Sequence, residues 1–428
     1  EPIEAIFADF ERIVLPGMTH WQHPSFFAYF PANSSPPSVL AEMLTATLAA
    51  QCMLWQTSPA ATELETRVLD WLRQMIGLPE GFHGVIQDSA SSATLCAILV
   101  ARERATDWRA NEEGLAACPP LAFYASEQAH SSIEKGLRVA GLGRRQLRPI
   151  GTDDGFAMRP DLLEAAIAED RAKGVVPAGV VASIGATGVG AVDPLRAVGE
   201  VCRRHGLYLH VDAAWAGSAL LLEEARWMID GIEQADSFVF NPHKWLLTNF
   251  DCSAHFVRDP AALVRTLSVR PIYLQSREGA AVTDYSEWSM PLGRRFRALK
   301  LWFVIRSYGV ERLKAMLRDH IAWTAELEGW IAAEPDFELT SPRRLALLSF
   351  RYRPESVDDE AELDRLNERL LQAINDDGRI YLTQARVRGR YVIRFSVGQT
   401  YTQRRHVERA WGVIRETARG FATATALG

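Results

Sequence analysis

The chain has 428 residues, 48% of them hydrophobic, so it is long enough to bury a large core and to form more than one structural unit. Acidic and basic residues are interspersed and the formal net charge is only -6, which disfavours nucleic acid and anionic membranes as partners. The apolar runs are shorter than a bilayer span, no signal-peptide pattern opens the sequence, and the five cysteines form no CxxC pair. We therefore expect a cytoplasmic protein with small polar ligands and no metal site.

The amino-terminal region is predicted to be helical and rich in aromatic residues. Its first helix, IEAIFADFERIVLPG, repeats apolar residues at helical spacing and ends at a Pro-Gly pair. The aromatic stretch THWQHPSFFAYFP follows. We assign residues 1–60 to this N-terminal segment.

Residues 61–308 are predicted to form a large α/β domain. Short β-rich runs alternate there with amphipathic helices, and the clearest runs are LAFYAS, AGVVASIG, LYLHVDAA, SFVFNPHKW and CSAHFVRD. This alternation predicts a mixed, mostly parallel sheet that is covered by helices on both faces.

Residues 309–428 are predicted to form a small C-terminal α+β domain. A long helical region, from about residue 308 to 333, leads into RRLALLSFRYR, the helix ELDRLNERLLQAI, RIYLTQARV, RYVIRFSV and a last helix from Thr402. The fold class that follows is α/β, with one large and one small domain.

Four polar residues stand at the ends of predicted strands. His130 follows LAFYAS, Thr187 follows AGVVASIG, Asp212 ends LYLHV and Lys244 follows SFVF. Taken singly, such an aspartate is more commonly a helix cap and such a histidine an ordinary hydrogen-bonding residue. Because ligands of open α/β sheets bind beyond the carboxyl ends of the strands, the four together predict a ligand site at this edge.

Lys244 is the most informative of these residues. A lysine amine in an apolar pocket loses its proton more easily, and the neutral amine can form a Schiff base with an aldehyde. A carboxylate such as Asp212 keeps a pyridinium nitrogen protonated, which suits pyridoxal phosphate as a cofactor. In QDSASSATL, the residues Ser89, Ala90 and Ser91 open a long helix whose free N–H groups attract a phosphate, although these serines also suit a simple helix cap.

Seven segments of the sequence together resemble one known family. They are HPSFFAYFP, SPAATELET, QDSASSATL, EQAHSSIEK, HVDAAWAGSA, NPHKWLLTNFDCS and PLGRRFRALKLWF, and they run in order over nearly the whole chain. The chain thereby resembles the group II pyridoxal-phosphate-dependent decarboxylases, specifically the aromatic-L-amino-acid decarboxylases. The resemblance implies the aspartate-aminotransferase-like fold of type I, with a seven-stranded sheet in the large domain.

The resemblance also implies a role for each matching residue. Lys244 would carry the cofactor as a Schiff base, Asp212 would pair with its ring nitrogen, and His130 and Ala214 would cover the two faces of its ring. Thr187 would lie near the ring oxygen. The phosphate would be held by Ser89, Ala90, Ser91, Asn241 and His243 of the same chain. The family works as a homodimer, so Leu292 and Gly293 would reach the phosphate of the neighbouring subunit.

The substrate residues follow from the same resemblance. Trp21, Tyr29, Phe30, Pro31 and Phe250 would form a flat apolar slot for an indole or phenyl ring. The reaction would release carbon dioxide from tryptophan, phenylalanine, tyrosine or a hydroxylated analogue and leave the arylalkylamine.

Tyr273 lies in the polar, glycine-containing stretch VRPIYLQSREGAAVTDYSEW, which reads as a mobile loop. In the family this tyrosine is placed to return a proton to the substrate carbon, and relatives with phenylalanine there make aldehydes. The tyrosine favours plain decarboxylation, with aldehyde synthesis as an alternative.

Three departures from the family pattern and two rival functions have to be weighed. Ala32 stands where catechol-preferring relatives have a threonine, and Met53 replaces an aromatic residue. The sequence shows no match to the amino-terminal segment that crosses to the partner in the family, and it begins at Glu1, which leaves room for residues upstream. An aminotransferase would use Arg394 to clamp the substrate carboxylate, and a catalytically silent binding protein would keep the fold without the reaction.

Overall fold

The computed structural model describes residues 1–269 and 281–426. In these residues the strands are β1 His83–Gln87, β2 Leu121–Ser126, β3 Leu147–Ile150, β4 Val176–Ser183, β5 Tyr208–Asp212, β6 Ser237–Phe240, β7 Ser253–Val257, β8 Phe337–Leu339, β9 Leu347–Tyr352, β10 Thr383–Val387 and β11 Arg390–Ser396. The helices are α1 Ile3–Asp9, α2 Pro36–Leu48, α3 Pro59–Met75, α4 Ala90–Ala105, α5 Ala110–Glu113, α6 Ser132–Val139, α7 Pro160–Ala172, α8 Leu195–His205, α9 Pro242–Trp245, α10 Pro260–Leu267, α11 Arg297–Ala332, α12 Glu360–Asp377 and α13 Arg404–Ala426.

The large sheet has the order β1-β7-β6-β5-β4-β2-β3. Strands β2 to β6 pair in parallel, whereas β7 is antiparallel to both of its neighbours, β1 and β6. The prediction of a mixed, mostly parallel sheet is confirmed. The carboxyl ends of the four central parallel strands therefore meet at one edge, which places their following loops side by side.

Both faces of this sheet are buried because successive strand residues point to opposite sides. In β4, Val180 packs into the core cluster beneath α7 and α8, while its neighbour Val181 packs into the cluster beneath α4 and α6. All six residues of β2 are buried for the same reason. The two apolar layers hold the strand ends in fixed positions relative to one another.

The C-terminal sheet has the order β10-β11-β9-β8 and is antiparallel throughout. It is covered by α12, and Trp411 of α13 packs against Phe337 and Phe350, so the predicted small α+β region is present. Helix α11 links it to the large sheet and begins at Arg297, earlier than predicted. The helix is interrupted at Gly309, whose φ of 71° is not helical and suits a residue without a Cβ. The domain limits 1–60, 61–308 and 309–428 remain predictions.

The sequence did not predict three strands. β1 and β3 are the edges of the large sheet and β8 is an edge of the small one. Each has at most five residues, and β3 contains Pro149, which is tolerated only where a ladder hydrogen bond is not required. Short edge strands bury few side chains, so their hydrophobic pattern is weak.

The N-terminal region is helical as predicted, but its apolar stripe is exposed. Helical turns continue from α1 to Gly17, and Phe7 and Phe10 are both exposed to solvent. Within the described part of the chain, no helix is both long enough and apolar enough to cross a membrane. The same residues contain no group of three histidine, cysteine or acidic side chains arranged to hold a metal ion.

Candidate active site

A cavity of about 270 Å³ lies at the carboxyl edge of the large sheet, where β2, β4, β5 and β6 end. It is lined by all ten residues that the sequence analysis assigns to the cofactor site of a single subunit: Ser89, Ala90, Ser91, His130, Thr187, Asp212, Ala214, Asn241, His243 and Lys244. These residues come from five separate segments of the chain. The fold therefore brings together side chains that lie up to 155 positions apart in the sequence.

Lys244 lies in α9, a single helical turn that follows β6. Its Nζ is 5.1 Å from the centre of the Phe30 ring. Burial lowers the pKa of Lys244 to about 8; the charge of Asp212 opposes this shift and that of Arg394 adds to it. A substantial fraction of this amine is therefore neutral near physiological pH, which is the form that attacks an aldehyde.

Asp212 is the last residue of β5 and is almost fully buried. It pairs with Ser183 and Val239 in the ladders on either side. One carboxylate oxygen accepts the N–H of Ala214 at 3.0 Å, which fixes the side chain at the start of the following loop. Asp212 thus places a negative charge at the floor of the cavity.

His130 occupies the loop between β2 and α6. Its Nδ1 lies 2.8 Å from the Ser132 hydroxyl and accepts the Ser132 N–H at 3.2 Å. Burial lowers the pKa of His130, the Asp212 charge opposes this effect and the Lys244 charge adds to it. A neutral imidazole whose Nδ1 is held by hydrogen bonds has a fixed ring orientation, which suits stacking on a flat ring.

The N-terminus of α4 forms one wall of the cavity. The Ser89 hydroxyl accepts the Ser92 N–H at 3.2 Å, so this serine caps the helix. The cap leaves the N–H groups of Ala90 and Ser91 without intrahelical partners, because the first four amides of a helix have none. The same segment can therefore both cap α4 and bind an anion through its free amides.

His243 and Asn241 present further donors. His243 Nδ1 accepts the Cys252 N–H at 2.9 Å, and burial lowers the pKa of His243 to about 3, so its remaining proton is on Nε2. Asn241 Oδ1 accepts the Ser253 hydroxyl at 2.6 Å, which leaves its amide N–H₂ free to donate. Together with the α4 amides, these groups form a set of donors that suits an anion.

A second cavity, of about 380 Å³, adjoins the first and shares Phe30, His130, Thr187, His243 and Lys244 with it. All five residues that the sequence analysis assigns to the substrate line it: Trp21, Tyr29, Phe30, Pro31 and Phe250. Trp21 and Tyr29 stack with their ring centres 5.4 Å apart. The end of the first cavity that contains Lys244 thus opens into a slot with aromatic walls.

Several lining residues were missed by sequence reasoning. In the second cavity these are Gly188 and the β10 residues Thr383, Gln384 and Ala385. Trp215, Ser183 and Gly185 line the first cavity. The β10 residues belong to the small sheet, and no local pattern in RIYLTQARV indicates that this strand faces a site on the other sheet.

Arg394, from β11, also lines the second cavity. Its Nε donates to the Thr187 carbonyl at 2.9 Å, and another of its nitrogens donates to the Tyr29 carbonyl. Burial lowers the pKa of Arg394 to about 9. The side chain therefore ties the cofactor side of the site to the aromatic wall.

Two of the predicted site residues lie outside the cavities, and a third is not among the residues that the structure describes. Leu292 and Gly293 are outside both cavities, and Leu292 is exposed. Tyr273 lies outside the residues that the structure describes, so its role stays a prediction.

Comparison with known proteins identifies the family. Residues 1–353 match the pyridoxal-dependent decarboxylase conserved domain. The chain is 44% identical over 432 residues to aromatic-L-amino-acid decarboxylase of Sus scrofa, an alignment that covers 98% of this chain and 87% of that protein. The chain belongs to the pyridoxal-dependent decarboxylases.

Other relatives of this decarboxylase carry other names. The chain is 42% identical over 428 residues to phenylacetaldehyde synthase of Arabidopsis thaliana, covering 98% of this chain and 86% of that protein. The crystal structure of Oryza sativa TDC with PLP and tryptamine superimposes with a TM-score of 0.95 at 37% identity, covering 98% of this chain and 89% of that one. The predicted type I fold is confirmed.

The cavity of the decarboxylase fits pyridoxal 5'-phosphate, the cofactor of its family. It holds a partly neutral amine on Lys244, a carboxylate on Asp212, and the donors of α4, His243 and Asn241. An aldehyde, a pyridinium nitrogen and a phosphate require these three kinds of group.

We predict that Asp212→Asn lowers the pKa of Lys244 below about 8 in the cofactor-free protein, because the Asp212 charge opposes the effect of burial. Reductive methylation at a series of pH values, with the Lys244 peptide followed by mass spectrometry, measures this pKa. Asp251→Asn is the matched control, since that carboxylate pairs with Arg297 instead. A Lys244 profile that stays in place or moves to higher pH in Asp212→Asn would contradict the electrostatic coupling.

Proposed function

We propose that this chain converts an aromatic L-amino acid, such as tryptophan, phenylalanine, tyrosine or a hydroxylated analogue, to the arylalkylamine and carbon dioxide. The observation that carries the proposal is the position of Lys244. Its amine, with a pKa of about 8, lies at the junction of a cavity that suits pyridoxal phosphate and a slot lined by aromatic rings. Among the relatives, the Oryza sativa TDC structure contains PLP and tryptamine.

Each residue of the cavity has a proposed task. Lys244 would hold the cofactor through its amine, and Asp212 would keep the proton on the ring nitrogen. His130 and Ala214 would confine the ring from its two faces, and Thr187 would approach the ring oxygen. The amides of Ala90 and Ser91 with Ser89, and the donors of Asn241 and His243, would hold the phosphate. When bound, the cofactor supplies a ring that accepts electrons from the substrate.

The aromatic slot would favour loss of the carboxylate. A carboxylate is more stable in water than in an apolar setting. The apolar rings of Phe30, Trp21 and Phe250 would therefore favour its loss as uncharged carbon dioxide. An aminotransferase would instead hold this carboxylate with Arg394. Two of the five Arg394 donors bind the carbonyls of Thr187 and Tyr29, while its buried Nη2 has no hydrogen-bond partner among the described residues, so donors remain at the wall of the second cavity. The product assay therefore decides between decarboxylation and transamination.

Tyr273 is proposed to return a proton to the α-carbon of the substrate after carbon dioxide leaves. A phenol is a suitable proton donor for this transfer. Aldehyde synthesis is the alternative outcome at the same site, since a relative 42% identical is named phenylacetaldehyde synthase.

We also propose that the working unit is a homodimer. Exposed apolar side chains are concentrated in the first 18 residues and in α2: Ile3, Ile6, Phe7, Phe10, Ile13, Val14, Leu15, Met18, Val39, Leu40, Met43, Leu44 and Leu48. No residue of α1 is buried. Apolar helix faces of this extent are normally covered, and a second copy would cover them while Leu292 and Gly293 reach its phosphate site.

A cytoplasmic location is proposed as well, and the free cysteines of the described chain suit a reducing compartment.

The product assay tests the function. The protein reconstituted with pyridoxal phosphate is expected to release carbon dioxide and the matching amine from at least one of tryptophan, phenylalanine and tyrosine. Lys244→Ala should reduce this turnover at least a thousandfold, because the amine that holds the cofactor is lost. Products are identified by mass. Formation of a 2-oxo acid without carbon dioxide would show an aminotransferase, and absence of any product would favour a silent binding protein.

Tyr273→Phe is expected to yield less amine and more aldehyde, because it removes the proton donor and keeps the ring. The substrate, dioxygen and water would then give the aldehyde, carbon dioxide, ammonia and hydrogen peroxide. Amine, aldehyde and peroxide are measured in parallel, with Tyr285→Phe as a control that removes a phenol hydroxyl outside both cavities. An unchanged amine yield without peroxide would assign the proton to another group.

The double variant Met43→Glu, Leu44→Glu is expected to dissociate the dimer and to lose activity, because it buries two charges in the proposed interface. Val139→Glu changes an equally exposed apolar residue outside α1 and α2, and should stay dimeric. Light scattering at assay concentration measures the mass. An active wild-type monomer would refute the proposal.

A further inference from the structure

The helical turn that carries Lys244 ends abruptly. α9 has one turn, Pro242–Trp245, and closes with the Leu246 N–H donating to the Pro242 carbonyl at 3.0 Å. At Leu247 the φ angle is 53°, so the chain has left the helical path. The carbonyls of His243 and Lys244 therefore have no amide one turn further on to bind them, as at every helix C-terminus.

Asn33 supplies both missing donors. Its backbone N–H donates to the His243 carbonyl at 2.9 Å, and its side-chain amide donates to the Lys244 carbonyl at 2.5 Å. Asn33 is only 1% exposed, so these bonds form away from water. A single residue, 211 positions away in sequence, thus caps the turn of Lys244.

Asn33 also connects this turn to the small sheet. The same side-chain nitrogen donates to the Gly398 carbonyl at 3.1 Å, and the Thr400 hydroxyl lies 2.7 Å from the side-chain oxygen. The two carbonyls can only accept, so the end of the amide that faces them is the nitrogen. A Cβ on Gly398 would lie 2.6 Å from Pro31, so glycine allows the three segments to meet here.

We infer that Asn33 is a positioning residue for catalysis: by capping α9 and binding residues 398–400, it holds Lys244 in its buried place and fixes the turn against the small domain. The inference rests on the proposed role of Lys244. Without these bonds the turn is free to shift towards water. Since a small misplacement of a reacting group costs up to about a hundredfold in rate, we expect a loss of about tenfold in kcat.

The test compares Asn33→Leu and Asn33→Ala with the matched control Thr402→Val. Asn33→Leu keeps the approximate size and removes the side-chain donor to Lys244 without adding a charge that would itself raise the pKa of Lys244. Thr402 is also buried at this junction and donates to the Pro24 carbonyl at 2.7 Å, yet it makes no bond to α9. The two positions should therefore lose similar thermal stability, while only Asn33 affects Lys244.

Two readouts separate a positioning role from a structural one. In the cofactor-free protein, the pH profile of Lys244 methylation should move to higher pH in the Asn33 variants, because a freed amine is better solvated. In the loaded enzyme, kcat should fall about tenfold with KM little changed. Thr402→Val should leave both unaltered. Asn33 variants that lose stability alone, with the Lys244 profile and kcat of the wild type, would overturn the inference.

If neither Asn33 variant folds, Thr400→Val decides the question. It leaves Asn33 in place and removes the hydroxyl that lies 2.7 Å from both the Asn33 side-chain oxygen and the Ser34 carbonyl. The Lys244 profile should again move to higher pH, and an unchanged profile would overturn the inference. Failure of the proposed function would look different, since borohydride would then fix pyridoxal phosphate to another lysine in the wild-type protein.

Discussion

The burial of one amine organises the functional part of this structure. Removal of Lys244 from water lowers its pKa to about 8, and the nearby Asp212 charge limits the shift. Too little burial would leave the amine protonated, and a lysine without a compensating charge would destabilise the fold. The site therefore depends on keeping Lys244 at one fixed depth between apolar rings and a carboxylate.

A column of aromatic rings provides the apolar side of this balance. Phe30 stacks on Trp215 with ring centres 4.6 Å apart, and Trp215 stacks on Trp245 at 5.1 Å. The indole nitrogen of Trp245 donates to His320 in α11 at 3.0 Å. Because Trp245 directly follows Lys244, the lysine turn is anchored through this column to the long helix that joins the two sheets. The contacts that bury the amine of Lys244 thus also attach its helical turn to the helix between the two sheets.

The sequence predicted those parts of the site that stand at the ends of strands. His130, Thr187, Asp212 and Lys244 were predictable because parallel strands with strong apolar patterns end at one edge of the sheet. The large sheet was predictable for the same reason, apart from its edges. The family resemblance supplied the residues at the helix N-terminus and in the aromatic stretch.

Other parts of the site depend on contacts between distant segments, which no local pattern encodes. Thr383 and its neighbours reach the second cavity only because the small sheet lies against the large one. Arg394 was a candidate substrate clamp in the sequence, and in the structure it also binds the carbonyls of Thr187 and Tyr29, which no pattern indicated. Asn33 gave no signal at all, since its partners are carbonyl groups of α9 and of residue 398.

The most direct test of this account is to reduce the wild-type protein with borohydride after loading with pyridoxal phosphate, and to locate the label by peptide mass. The account predicts label on Lys244. Lys300 is the informative competitor, because it too is buried and burial lowers its pKa, but it binds Glu42 at 3.0 Å and lies outside both cavities. Label on Lys300, or on any lysine other than Lys244, would contradict the central claim.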